Sequence, residues 1–284
     1  MKLIRFGEPN KELPGIAIGD IYYNVSAFGE DYNEHFFETD GLNRLQKFLD
    51  ENQSALSEVP KDVRIGSPLA RPSKIVCIGL NYADHARETG ATPPPEPVIF
   101  LKSTTAICGP YDNIIIPRNS VKTDWEVELA VVIGKKASYV EEANAMDYVV
   151  GYVLHNDVSE REFQLERSGT WDKGKGCDTF APLGPWLVTK DEIDDVDNLR
   201  LWLHVNGSKM QDGTTANLIF KVPHLVSYVS QFMTLLPGDI ISTGTPSGVG
   251  MGMKPQVFLK AGDVVDLGID GLGCSKQNVV SYED

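Results

Sequence analysis

Basic charge is in short supply in this sequence. Its 26 Lys and Arg face 40 Asp and Glu, for a formal charge of −14. The isoelectric point is near 4.8. That balance argues against a surface for nucleic acid or anionic membrane, which needs a basic footprint. It leaves small substrates open, because local charge decides those. Cysteine is also scarce. Cys77, Cys108, Cys177 and Cys274 are scattered and form no CxxC pair. Zinc-ribbon spacing and a dense disulfide framework are excluded, and the four read as reduced thiols of a cytoplasmic protein. No apolar run approaches the ~20 residues of a membrane span. The opening Met1-Lys-Leu-Ile-Arg-Phe-Gly7 has no long apolar core, so no signal peptide is expected. Internal repeats and low-complexity tracts are missing. Strands and helices do not alternate regularly, which argues against a doubly wound sheet.

What is present fits a loop-rich globular chain. It has 284 residues, 42% of them hydrophobic, and 17 prolines. That is room for a small domain and a large one, and the text changes character near residue 70. Residues 1–70 read as a small α+β domain. Short strands are expected over Lys2–Phe6, Gly15–Ile18 and Asp20–Asn24, and a helix over Gly41–Asn52 with Leu42, Leu45, Phe48 and Leu49 on one stripe. Pro60, Pro68 and Pro72 punctuate the junction. Residues 71–284 are strand-rich. Strands are expected over Lys74–Gly79, Val98–Lys102, Ile114–Ile116, Glu126–Ile133, Val149–Asp157, Leu199–Val205, Asp239–Thr243 and Asp263–Ile269. A helix is expected over Val222–Met233. The fold class is therefore α+β and β-rich, with a mostly antiparallel or mixed sheet core and peripheral helices.

Three acids stand in segments otherwise built to be buried. Glu126 and Glu128 open the run Glu126-Val-Glu-Leu-Ala-Val-Val-Ile133. Residues i and i+2 of a strand share a face, which sets the two carboxylates side by side. Like charges that close raise each other's pKa unless a cation lies between them. Tyr148-Val-Val-Gly-Tyr-Val-Leu154 runs into His155-Asn-Asp157, so a third acid ends a second strand. Oxygen donors without zinc-type spacing suit a hard divalent ion, Mg²⁺ or Mn²⁺. The competing reading is a solvated strand face beside a loop Asp.

A second cluster lies in Asn81-Tyr-Ala-Asp-His-Ala-Arg-Glu88. Asn81 suits the N-cap of a short helix, on which His85 and Glu88 share a face. A carboxylate that holds a histidine fixes its tautomer and raises its basicity, giving a base for water. An ordinary surface pair has the same spacing. The stiff Ala91-Thr-Pro-Pro-Pro-Glu-Pro97 that follows suits the flank of a lid. Gly238-Asp-Ile-Ile-Ser-Thr-Gly-Thr-Pro246 offers hydroxyls and backbone N–H groups to a carboxylate. Lys173-Gly-Lys-Gly-Cys-Asp178 offers a lysine to a developing anion. Gly248-Val-Gly-Met-Gly252 lacks the spacing and the following helix of a phosphate loop. Trp171 and Trp186 read as packing residues.

Taken in order, these stretches resemble the fumarylacetoacetate hydrolase family. The match runs from about Ile75 to Gly268. Its motifs are Gly79-Leu-Asn-Tyr-Ala-Asp-His-Ala-Arg-Glu88, Asp124-Trp-Glu-Val-Glu-Leu-Ala130, Asn156-Asp-Val-Ser-Glu-Arg161, Lys175-Gly-Cys-Asp-Thr-Phe-Ala-Pro182 and Thr243-Gly-Thr-Pro-Ser-Gly-Val-Gly250. Lys102 is followed by Ser103 where many members have proline, which should alter loop shape only. The resemblance implies a mixed β-roll, usually a homodimer, with a small N-terminal appendage. It implies Mg²⁺ or Mn²⁺ on Glu126, Glu128 and Asp157, and a His85/Glu88 dyad on a lid spanning about residues 81–96. It also implies Lys175 as a catalytic group, with Arg161, Gln164 and Thr245 meeting the substrate.

The activity so implied is hydrolysis of a 2,4-dioxo acid to pyruvate and a carboxylic acid. The N-terminal form and total length are similar to members acting on 2,4-diketo-3-deoxy sugar acids from fuconate or rhamnonate. Ureidoglycolate lyase, oxaloacetate decarboxylase and acylpyruvase are the alternatives, since several of these reactions share an enolate. A metal-binding scaffold without activity is disfavoured because His85, Glu88 and Lys175 are all present.

Overall fold

The computed structural model describes residues 1–84, 88 and 92–283, save for the side chain of Gln53. The chain is α+β and strand-rich, as its pattern predicts. Ten strands form one sheet. In spatial order they are Ser57–Glu58, Ile21–Asn24, Leu13–Ile18, Lys2–Phe6, Leu187–Thr189, Val149–Asn156, Val127–Ile133, Ile240–Ser242, Ile75–Gly79 and Val98–Lys102. All neighbours are antiparallel except Ile240–Ser242 with Ile75–Gly79, which run parallel. A second sheet holds Ser208–Thr214, Arg200–Val205, Val264–Ile269, Gly273–Ser281 and Ile114–Ile116. Two-stranded pairs, Thr123–Asp124 with Ser159–Glu160 and Ile107–Cys108 with Ala181–Pro182, complete the strands among the described residues. No helix among those residues is long and apolar enough to cross a membrane.

The core explains the order of the large sheet. Val127–Ile133 is buried at every residue and paired on both edges. A strand covered on both faces reads as a continuous aliphatic run. Its neighbour Val149–Asn156 comes so close to Leu187–Thr189 that a Cβ on Gly151 would stand 2.2 Å from the Val188 carbonyl oxygen. Only glycine permits that approach.

Several boundaries differ from the sequence pattern by a residue or a few. The acid-bearing strand begins at Val127, one residue after Glu126. The late helix covers Val222–Ser230 and stops short of Met233. Eight strands among the described residues went unanticipated, five of them only two residues long; the longer three are Leu187–Thr189, Ser208–Thr214 and Gly273–Ser281. The last two turn buried glutamines inward, Gln211 and Gln277, so their inner faces do not read as apolar.

Asp239 fastens the two parallel strands at their start. It is fully buried. Its Oδ1 accepts from Ser73 Oγ at 2.6 Å and from the Lys74 N–H at 3.1 Å. Its Oδ2 accepts from the Leu236 N–H at 2.7 Å and from the Lys74 ammonium. Replacing it with alanine strands buried donors, each a recognised source of large destabilisation. Asp239→Ala is expected to lower unfolding free energy by roughly 2–4 kcal/mol. A urea titration with an unchanged midpoint would refute this role.

Candidate active site

Glu126 precedes the central strand, Glu128 is its second residue, and Asp157 follows the neighbouring strand. The register places Val127 opposite Asn156 and Glu128 opposite His155, so the three acids meet at one end of the pair. The Asp157 N–H donates to the Glu126 carbonyl at 2.9 Å. Oxygens of all three carboxylates lie within 4.8 Å of one another, and all three residues are buried.

Cations surround them on most sides. Lys175 Nζ donates to Glu126 Oε2 at 2.6 Å and to Asp157 Oδ2 at 2.8 Å. Lys102 Nζ, fully buried, donates to Asp157 Oδ1 at 2.5 Å. Arg161 donates to Glu126 Oε1 at 2.7 Å, to Asp124 Oδ2 at 2.8 Å and to Gln164 Oε1 at 3.1 Å. Asp124 also accepts from the N–H groups of Gly250 and Met251. Among the described residues, three buried cations thus face four buried acids, Asp124 included, which leaves one net negative charge in the cluster when all four acids are ionised.

Glu128 carries that excess. Its Oε2 accepts from Ser242 Oγ at 2.5 Å and from the Gly244 N–H at 3.0 Å, both neutral donors. Burial first, then the charges of Asp157 and Glu126, push its carboxyl well above the usual range. For Asp157, burial raises the carboxyl, but Lys102 and Lys175 outweigh it and hold the group below the usual range. Burial opposes the Lys175 charge, yet Asp157 and Glu126 keep its proton bound beyond the ordinary lysine range. A carboxylate that lacks only a cation, beside two others with hard oxygen donors, fits a divalent ion of the Mg²⁺ or Mn²⁺ kind.

Glutamines of the second sheet brace the acid-bearing strands from behind. Gln211 Oε1 accepts from the Val127 N–H at 2.9 Å, and its Nε2 donates to Thr245 Oγ1 and the Pro246 carbonyl. Asn156 Nδ2 donates to Gln277 Oε1 at 3.2 Å. These side chains satisfy groups at the strand ends where the carboxylates must be held still.

A cavity of about 220 Å³ opens over the acids. Glu126, Glu128, Arg161, Gln164, Lys175 and Thr245 supply its polar lining. Ile78, Leu80, Phe100, Leu165, Trp171 and Met251 supply an apolar wall. Trp171 packs on Phe100, ring centroids 5.3 Å apart, and lies against Gly79, where a Cβ would meet the indole at 2.5 Å. It packs as the sequence suggests, yet it also faces the cavity. Lys175 Nζ stands 5.0 Å from the Phe100 ring centroid.

Of the nine candidate residues, six line this cavity, Glu126, Glu128, Arg161, Gln164, Lys175 and Thr245, and a seventh, Asp157, is buried with a carboxylate oxygen within 4.8 Å of those of Glu126 and Glu128. The Thr245 hydroxyl donates to the Val127 carbonyl and accepts from Gln211. Glu88 lies over the loop beyond, where its carboxylate accepts from the Gly248 N–H at 2.9 and 3.1 Å. His85, and with it the centre of the segment expected to form a lid, lies outside the described residues. Asn81 spends its side-chain amide on Phe220 and Thr243. Lys102, Ser242 and His155 were missed as site residues. A lysine closing an otherwise apolar strand, Val98–Lys102, was the available signal for the first.

Residues 74–280 match the family described as fumarylacetoacetate (FAA) hydrolase, C-terminal. A Burkholderia cenocepacia protein provisionally named a hydrolase is 55% identical over 276 residues, which is 96% of each chain. The structure of fumarylacetoacetate hydrolase from Exiguobacterium antarcticum superposes with a TM-score of 0.85 at 32% identity, covering 99% of this chain and 100% of that one. Maleylpyruvate hydrolase from Sphingobium, solved with manganese(II) and pyruvate, gives 0.82 at 30% identity with full coverage of both.

Burial drives the His155 imidazole down to about 3, with Asp157 pulling it up and Lys102 and Lys175 pushing it further down. A histidine depressed in the fold binds fewer protons there than in the unfolded chain, whose value is ~6.5. Its neutral form therefore contributes stability above about pH 6.5, and that contribution is lost as pH falls from there toward 3. In metal-free protein, His155→Phe should flatten the loss of stability between pH 6.5 and 4. Denaturant midpoints that fall equally steeply in wild type and variant would contradict this.

Proposed function

The chain belongs to the fumarylacetoacetate hydrolase family, and from that premise we propose that it is a divalent-metal-dependent hydrolase cleaving the C3–C4 bond of a 2,4-dioxo acid. The observation that carries the reading is the meeting of Glu126, Glu128 and Asp157 beside a cavity that the first two line, with the Lys175 ammonium between two of the three. Those three acids would hold Mg²⁺ or Mn²⁺, which supplies Lewis acidity toward the 2-oxo carboxylate end of the substrate.

The chain's own groups then divide the work. His85, backed by Glu88, takes a proton from water, and the water oxygen adds to the C4 carbonyl. The C3–C4 bond breaks, its electron pair passes to C3 as the enolate of pyruvate, and the C4 fragment leaves as a carboxylic acid. Lys175 faces the negative charge of the enolate with a fixed ammonium. Protonation at C3 completes pyruvate. Gln164 offers its amide nitrogen, its oxygen being taken by Arg161. Arg161 acts by holding Glu126 and Gln164, and Thr245 meets the carboxylate through its main-chain N–H, because its hydroxyl is engaged.

The apolar wall speaks to the far end of the substrate. Ile78, Leu80, Phe100, Leu165 and Trp171 suit a terminus without charge. A 6-deoxy 2,4-diketo-3-deoxy sugar acid carries a methyl group there, consistent with a fuconate- or rhamnonate-derived substrate. The Sphingobium relative's complex with manganese and pyruvate supports the metal and the three-carbon product.

A turnover screen of 2,4-dioxo acids, oxaloacetate and ureidoglycolate with added Mg²⁺ or Mn²⁺ tests the reading, and inactivity on all the 2,4-dioxo acids would sink it. Glu128→Ala should abolish near-stoichiometric Mn²⁺ binding in a calorimetric titration. His85→Ala should lower kcat on a 2,4-dioxo acid by roughly 10²–10⁴-fold, the usual worth of a general base. Metal affinity should survive that change, and its loss would reverse the two roles.

A further inference from the structure

The cluster contains one histidine that the proposed chemistry does not use. His155 is fully buried and stands opposite Glu128 in the strand register. Its Nδ1 lies 2.6 Å from Ser242 Oγ, and Ser242 Oγ lies 2.5 Å from Glu128 Oε2. Its Nε2 is buried and has no partner among the described residues. The proton count along this row has one solution when Glu128 is ionised. A carboxylate only accepts, so the single Ser242 hydroxyl proton points to Glu128. Ser242 must then accept from His155, which fixes the Nδ1–H tautomer and leaves Nε2 as a bare lone pair. An imidazolium would bury a second, unpartnered N–H instead.

Ser242 and the Gly244 N–H together saturate Glu128 Oε2. Glu126 and Asp157 have both oxygens engaged by charged donors, whereas Glu128 is held from one side by neutral ones. We propose that the His155–Ser242 row is a positioning device for Glu128, fixing its carboxylate from behind so that Oε1 is left for a divalent cation. This rests on the metal reading above. Ser242 acts through Glu128, and His155 acts only through Ser242, by denying its hydroxyl any other orientation. Outer partners of this kind typically contribute 10–100-fold in metal affinity.

The test is Mn²⁺ affinity, read by electron paramagnetic resonance of the free ion. Wild type, Ser242→Ala, Ser242→Thr, His155→Phe and the Ser242→Ala/His155→Phe double variant are compared. Ser242→Ala should weaken binding by roughly 10–100-fold, and Ser242→Thr, which keeps the hydroxyl, should stay near wild type. His155→Phe should weaken binding less than Ser242→Ala. The double variant should match Ser242→Ala within about twofold, since residues acting through one another are not additive. Thermal unfolding of each variant in chelator separates this from a general loss of fold, which Thr would not rescue selectively. Wild-type affinity in Ser242→Ala, or losses that add in the double variant, would overturn this proposal alone. Failure of the wild type to bind Mn²⁺ would overturn the metal reading and this proposal with it.

Discussion

Burying three carboxylates within 4.8 Å of one another is the constraint that shapes this molecule. A lone ionised carboxylate taken out of water is costly, and three together repel as well. The chain meets that cost with Lys102, Lys175 and Arg161, each itself buried and each stable there only because the acids are present. Such mutual dependence makes the cluster a poor source of net stability, since desolvation offsets much of the attraction. Its retention fits a site kept for chemistry. The uncompensated charge on Glu128 points the same way, because it is where a further cation would relieve the greatest penalty.

Rigidity around the acids comes from the way the two sheets meet. Val127–Ile133 has strands on both edges and apolar packing on its faces, so its backbone has little freedom. Asn156 and Val127 are opposite one another, and each is also bonded to a glutamine of the second sheet. The acid-bearing ends are therefore fixed from two directions. A carboxylate one bond from a frayed strand end would wander by more than a metal site tolerates.

Much of this was legible in the sequence, and the reason is physical. Glu126, Glu128 and Asp157 stood out because charge in an aliphatic run is expensive and demands a cause. The strands over Lys2–Phe6, Val98–Lys102 and Ile114–Ile116 agree with the pattern residue for residue, as their composition and turn signals are unambiguous. The two longest strands that stayed hidden share a feature. Gly273–Ser281 buries Ser275, Gln277 and Val279 and exposes Ser281, so polarity does not separate its faces. Ser208–Thr214 buries Gln211 in the same manner. Hydrophobic alternation detects strands that pack on apolar surface. It is blind to strands that pack on a polar site, and those are the ones that brace the acids here.

The same logic explains why Lys102, Ser242 and His155 escaped notice. Each is ordinary in sequence and acquires its role from strands far away along the chain. Lys102 meets Asp157 across 55 residues, and Ser242 meets Glu128 across 114. Spacing rules see neighbours on one helix or strand, whereas charge compensation is settled by whichever strands the sheet order brings together. Ile75–Gly79 separates Val98–Lys102 from Ile240–Ser242, and the latter borders the acid-bearing strand. That order brings a lysine and a serine to acids contributed by two other segments, one of which also carries the histidine, two residues before Asp157. The identity of the acids can be read one strand at a time, but the charge that makes them tolerable belongs to the sheet as a whole.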